Sequence, residues 1–209
     1  MEKLDLTKQY KSYYSARLKP EIVNIEPAVF LSLTGKGDPS GSSFAADITA
    51  LYATAYTIKF ACKTKGRDFT VAKLEGLWWY DEEKYKGRTI SEASLLVPRN
   101  EWEYRLLIRL PEFVGPHDVK KATEAVVAGK KIMRAAGITF YETSEGAVVQ
   151  MLHIGPFADE PATLEIMAAF MDEHRLGRNG LHHEIYLSDF RKTAPGKLKT
   201  ILREPVKKL

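Results

Sequence analysis

Apolar and polar positions along the chain switch between a period of two and a period near 3.6, and the same succession occurs twice. "PAVFLSLT" (27–34) predicts a strand, broken by Gly35, Gly37, Pro39 and Gly41. Ser42 or Ser43 can then cap a long helix to about Lys63, with Ile48, Leu51, Ala55, Ile58 and Cys62 at helical spacing. "FTVAKLEGLWWY" (69–80) and "EWEYRLLIRL" (101–110) predict two more strands, separated by a long polar connection. A helix over 118–136, stopped by Gly137, comes next. The pattern then returns. "EGAVVQMLHIG" (145–155) predicts a strand and "DEPATLEIMAAFMDEHR" (159–175) a helix opened by Asp159, with Pro161 in its first turn. "HHEIYLSD" (182–189) and "KTILREPV" (199–206) predict two further strands.

Strand, helix, strand, strand thus occurs twice, with the 118–136 helix between the copies. The predicted organisation of residues 1–209 is one α+β domain. Its first module covers about 22–114, its linking helix 118–136 and its second module about 140–209.

The repeat makes one residue conspicuous. In "HHEIYLSD", Ile185 and Leu187 point to one side of the strand, and His182, Glu184, Tyr186 and Ser188 to the other. Glu184 is therefore a mid-strand carboxylate beside a tyrosine. Laid on the first copy, "KLEGLWWYD" sets Glu75 against Glu184, on one face with Leu77 and Trp79. If helices cover the other face of the sheet, the two glutamates look into one open groove between the copies, an inference that a one-residue slip overturns. Trp78, Trp79, Tyr80, Trp102 and Tyr104 cluster in the first copy, and of Trp78 and Trp79 only one can face the groove. A carboxylate among aromatic faces suits planar or cationic organic molecules. An ion pair between Glu184 and Arg105 or Arg109 is the competing reading.

Other chemistries find less support. "GKGDPSG" (35–41) joins a strand to a helix but has neither GK[ST] nor G-x-G-x-x-G, and Asp38 would repel phosphate. Adjacent His182 and His183 point to opposite faces and cannot chelate together. His153 with Glu184 would give too few ligands for zinc, so His153 is read as a core or groove residue and no metal is expected. No G-x-S-x-G is present. The net charge of +4 is scattered, which argues against nucleic-acid binding. Cys62 is the single cysteine, in an apolar stretch without activating neighbours. The charged N-terminus has no signal-peptide pattern, and no run approaches the ~18 apolar residues of a membrane span. A cytoplasmic protein without cofactor is expected.

"VFLSLTGKGDP", "LEGLWW", "QMLHIGPF", "EPATLEIM", "HHEIYLSDFRK" and "PGKLKTILREPV" occur in this order, and together they resemble the stand-alone GyrI-like small-molecule-binding proteins of the GyrI-like/SOUL-like superfamily. The resemblance runs from about Tyr10 to the C-terminus. It implies two tandem strand–helix–strand–strand (SHS2) modules in pseudo-two-fold arrangement around a central ligand groove. It also implies that Glu184 is the ligand-facing carboxylate. Some such relatives hydrolyse DNA-alkylating cyclopropanoid toxins, a detoxification in which a carboxylate helps water open the strained ring. On that basis Glu184 is the expected catalytic residue. Glu75, Trp79, Trp102, Tyr104, His153 and Tyr186 are the expected ligand contacts. A non-catalytic protein that binds, sequesters or senses drugs is the alternative, and no partner protein is indicated.

Overall fold

A computed structural model describes residues 3–86 and 90–209. Two short strands, β1 (Leu4–Asp5) and β4 (Phe69–Thr70), pair in parallel beside the first helical turn, α1 (Leu6–Gln9). The remaining strands are β2 (Glu21–Ile25), β3 (Ala28–Lys36), β5 (Leu74–Trp79), β6 (Glu103–Arg109), β7 (Thr139–Thr143), β8 (Gly146–Ile154), β9 (Leu176–Arg178), β10 (His182–Tyr186) and β11 (Lys199–Lys208). They form one antiparallel sheet in the order β2-β8-β11-β10-β5-β6-β3-β7, with β9 on the far end of β11. From β8 to β3 the order reads alike from either end, since β8-β11-β10 meets β5-β6-β3 at the central antiparallel pair β10–β5. This is the pseudo-two-fold α+β architecture that the repeat predicts.

The helices follow from their apolar stripes. In α2 (Ser42–Thr64), Phe44, Ile48, Leu51, Ala55, Ile58 and Cys62 are buried and pack toward β3 and β6. In α5 (Glu160–Glu173), Leu164, Met167 and Met171 pack toward β8. The linking helix is shorter than its pattern predicts. It spans α4 (Pro116–Lys130), ends at left-handed Lys131 (φ 58°) and gives way to a 3₁₀ turn at Met133–Gly137 that buries Ala135. The polar connection after β5 contains another helix, α3 (Ile90–Leu96), packed on α5, while residues 87–89 of that connection lie outside the described residues.

Two corrections concern the sheet faces. Residues directly opposite each other in an antiparallel pair share a face. Glu184 is opposite Gly76, and Glu75 is opposite Ile185. Glu75 and Glu184 therefore point to opposite faces, and the sequence overlay is one residue out of phase. Nor do the helices cover the face away from Glu184. Both α2 and α5 stand on its own face and become the walls of the groove. The other face is covered by the N-terminal segment, where Tyr13 donates to Glu75 Oε2 at 2.5 Å and Tyr14 to Glu75 Oε1 at 3.2 Å.

Candidate functional site

Between α2 and α5 lies a groove of about 550 Å³ whose floor is the middle of β5 and β10. Its floor residues are Trp78, His182, Glu184 and Tyr186, and its α2 wall is formed by Phe44, Ile48 and Thr49. Glu160 and Leu164 face them from α5, with Phe157 and Phe190 from the flanking loops. Trp102, Arg99 and Arg191 line it as well.

The floor is held by a chain of hydrogen bonds. Trp78 Nε1 donates to the Tyr186 hydroxyl at 3.1 Å, and that hydroxyl donates to Glu184 Oε2 at 2.6 Å. Gly76 leaves room for this chain, because a Cβ there would meet Trp78 Nε1 at 2.9 Å and the Tyr186 oxygen at 3.1 Å. The other oxygen of Glu184 lies 3.4 Å from His182 Nε2, and His182 Nδ1 lies 2.5 Å from Glu204 Oε1. Glu204 is also within 3.3 Å of Arg178. Burial works against the His182 charge, but Glu204 and Glu184 outweigh it and push the imidazole pKa up to about 10. At neutral pH it is an imidazolium. The Glu184 side chain is 13% exposed and aims into the groove from between this cation and the tyrosine.

Aromatic rings frame the carboxylate on both sides. Phe44 stacks on Trp78 with ring centroids 5.8 Å apart, and Trp102 meets Trp78 edge-on at 6.5 Å. Across the floor, Phe157, Tyr186 and Phe190 form a triangle of edge-on contacts near 6 Å. A planar molecule entering here would find ring faces and edges on either hand and a carboxylate below it.

Of the expected contacts, the structure brings together Glu184, Tyr186 and Trp102. Trp78, not Trp79, faces the groove, since strand alternation turns Trp79 to the other face, where its Nε1 donates to Glu103. Tyr104 shares the groove face but stands behind its wall, against Trp78 and Phe44, with its hydroxyl bonded to buried Asp47 at 2.9 Å. His153 is buried beneath α5, hydrogen-bonded to Thr163 at 2.9 Å. Glu75 is on the opposite face, 3.0 Å from His183. The ion pair of Glu184 with Arg105 or Arg109 is absent among the described residues. Arg105 bonds Ser32, and Arg109 stacks on Tyr10 and Tyr13.

Sequence reasoning missed Phe44, Ile48, Phe157, Glu160, His182 and Phe190. Two adjacent charges, Arg203 and Glu204, inside the otherwise apolar stretch "ILREPV" were the available signal for His182, because a mid-strand Glu204 requires a buried partner. Among the described residues no group of three or more His, Cys, Asp or Glu could hold a metal ion, and no helix is long and apolar enough to cross a membrane.

Solved structures with the same fold include an uncharacterized conserved protein from Listeria innocua, 36% identical with TM-score 0.86, covering 98% of this chain and all of that one. A hydrolase from Listeria innocua is 35% identical with TM-score 0.82 over the same shares. The C-terminal domain of EcmrR is similar in fold alone, at 10% identity and TM-score 0.60 over 91% of this chain and 98% of that one. No curated protein matches the chain. The model of the GyrI-like small molecule binding domain matches residues 18–207, which takes in every element of the groove, and the chain belongs to that family.

Proposed function

We propose that the groove binds planar, hydrophobic or cationic small molecules and hydrolyses electrophilic cyclopropanoid-type compounds, a detoxifying activity in which Glu184 is the base. The observation that carries this reading is the Glu184 carboxylate at the floor of an aromatic groove, fixed in direction by Tyr186 and His182. Such a ligand is already activated, so the protein need only orient it, present a water to the strained carbon and receive the water's proton. The ring faces of Trp78, Phe44 and Trp102 supply the orientation. Glu184 supplies the acceptor. The 35%-identical hydrolase from Listeria innocua supports hydrolysis in this fold without indicating the substrate.

Incubation with a cyclopropanoid should yield the water adduct, detected by mass. Glu184→Gln keeps the shape of the floor and removes the charge. The variant should stay folded and turn over about 100-fold more slowly, the scale of a lost general base. One observation favours a second reading, in which the protein only binds. Both oxygens of Glu184 already have a donor nearby, so an attacking water must share one. In that case no adduct forms, and Glu184→Gln weakens cationic ligands while sparing neutral ones.

A further inference from the structure

Glu160 is the first residue of α5 and lines the groove together with Glu184, yet it is only 8% exposed. Its Oε1 has no hydrogen-bond partner among the described residues. A buried carboxylate with a bare oxygen is costly, whereas a buried carboxylic acid is far less so. Resting on the reading of the groove given above, we infer that Glu160 is its proton donor, a carboxylic acid set beside the Glu184 carboxylate and directed at an acceptor atom of the ligand.

The charges around it agree. From β10, Glu184, His182 and Tyr186 face Glu160, and from β11 Glu204 stands behind His182. The imidazolium of His182 is already shared by Glu204 at 2.5 Å and Glu184 at 3.4 Å. At the mouth, Arg191 is held by Asp189 at 2.9 Å, and Arg99 lies 3.8 Å from Asp38. With Glu160 ionised, three carboxylates would surround one buried imidazolium. The α5 dipole and His182 both favour the anion. Burial first, and then the Glu184 charge, prevail over them and raise the Glu160 carboxyl well above the ordinary range. A buried carboxyl group raised in this way beside a second carboxyl group is a usual source of the acid in an acid–base pair.

In the ring opening, Glu184 takes a proton from water as the water oxygen bonds to the strained methylene carbon. The cyclopropane C–C bond breaks, and its electron pair passes through the conjugated system to the carbonyl oxygen. Glu160 protonates that oxygen. Substrate and water become one hydroxylated phenol, and solvent returns the proton from Glu184 to Glu160. For a ligand that is only bound, the same acid donates a hydrogen bond to its carbonyl.

The test begins without ligand. Carboxyl-labelled glutamate followed by carbon NMR at neutral pH should show a free-acid signal that Glu160→Gln lacks. The same free-acid signals in both proteins would overturn the assignment. Should Glu160→Gln fail to fold, Glu184→Gln serves instead. Removing the neighbouring charge should make the free-acid signal titrate at lower pH, and an unmoved titration overturns the coupling on which the inference rests. With a cyclopropanoid, Glu160→Gln should lower kcat about 100-fold with little change in KM. The parent's loss of rate toward alkaline pH should vanish in this variant. Parent-like kcat and pH profile in the folded variant would overturn the donor role. The NMR arm needs no turnover, so a parent that never opens the ring defeats the hydrolase reading while the free-acid signal still decides on Glu160.

Discussion

Two adjacent histidines on β10 are both buried and both held charged, on opposite faces of the sheet. His182 lies between Glu204 and Glu184 under the groove, and His183 between Glu145 at 2.9 Å and Glu75 at 3.0 Å. For each, burial opposes the charge and the paired carboxylates win, giving pKa values of about 10 for His182 and about 9 for His183. Folded pKa values above the unfolded value of about 6.5 mean that the folded state holds these protons more tightly. The stability they supply is complete below that pH and is lost as pH rises toward and through 9 and 10. Denaturant titrations from neutral to alkaline pH should show this decline, with a shallower slope in Glu145→Gln, which removes one partner of His183. Stability that is level or rises over that range would contradict two buried imidazoliums.

On the scale of the strands, β5 explains both what could be read in advance and what could not. Gly76→Ala would push a methyl group against Trp78 and Tyr186. It should destabilise the protein by about 1–3 kcal/mol, as overpacking does. It should also weaken binding of a flat aromatic dye followed by tryptophan quenching, and parent-like binding would place the ligand elsewhere. The repeat, the long helix α2, the strands and the carboxylate of "HHEIYLSD" were legible because each carries a period or a break. The facing of β5 was not. All its residues but Trp79 are buried, for helices cover one side and the N-terminal tyrosines the other, so no apolar–polar alternation remains to mark the groove side. Glu75 and Glu184 look equivalent in sequence, and only the register across β5–β10 separates them. The edge strand β2 and the turn of α4 into 3₁₀ at Met133 likewise depend on neighbours that the local pattern does not name.

At the scale of the whole molecule, one sheet separates two polar clusters with different duties. The cluster away from the groove joins Glu75, His183, Glu145, Arg203, Tyr13 and Tyr14 and ties the N-terminal segment to the sheet. Glu75→Ala would leave two tyrosine hydroxyls and part of an imidazolium unpaired. A cost of about 3–5 kcal/mol in denaturant unfolding is expected, with unchanged dye affinity in the protein that remains folded. A selective loss of affinity would put Glu75 back in the site. The groove belongs to neither half of the chain. The bond from Trp78 to Tyr186 that organises its floor spans 108 positions in sequence. Contacts of such separation are closed late and slowly, because the intervening chain must first be ordered. Half a protein therefore holds no half-strength site, and a nascent chain has none until its last strands are in place. A ligand that enters the groove clasps the seam between the halves, so occupancy itself becomes a mark of completed folding and shields the joint against reopening.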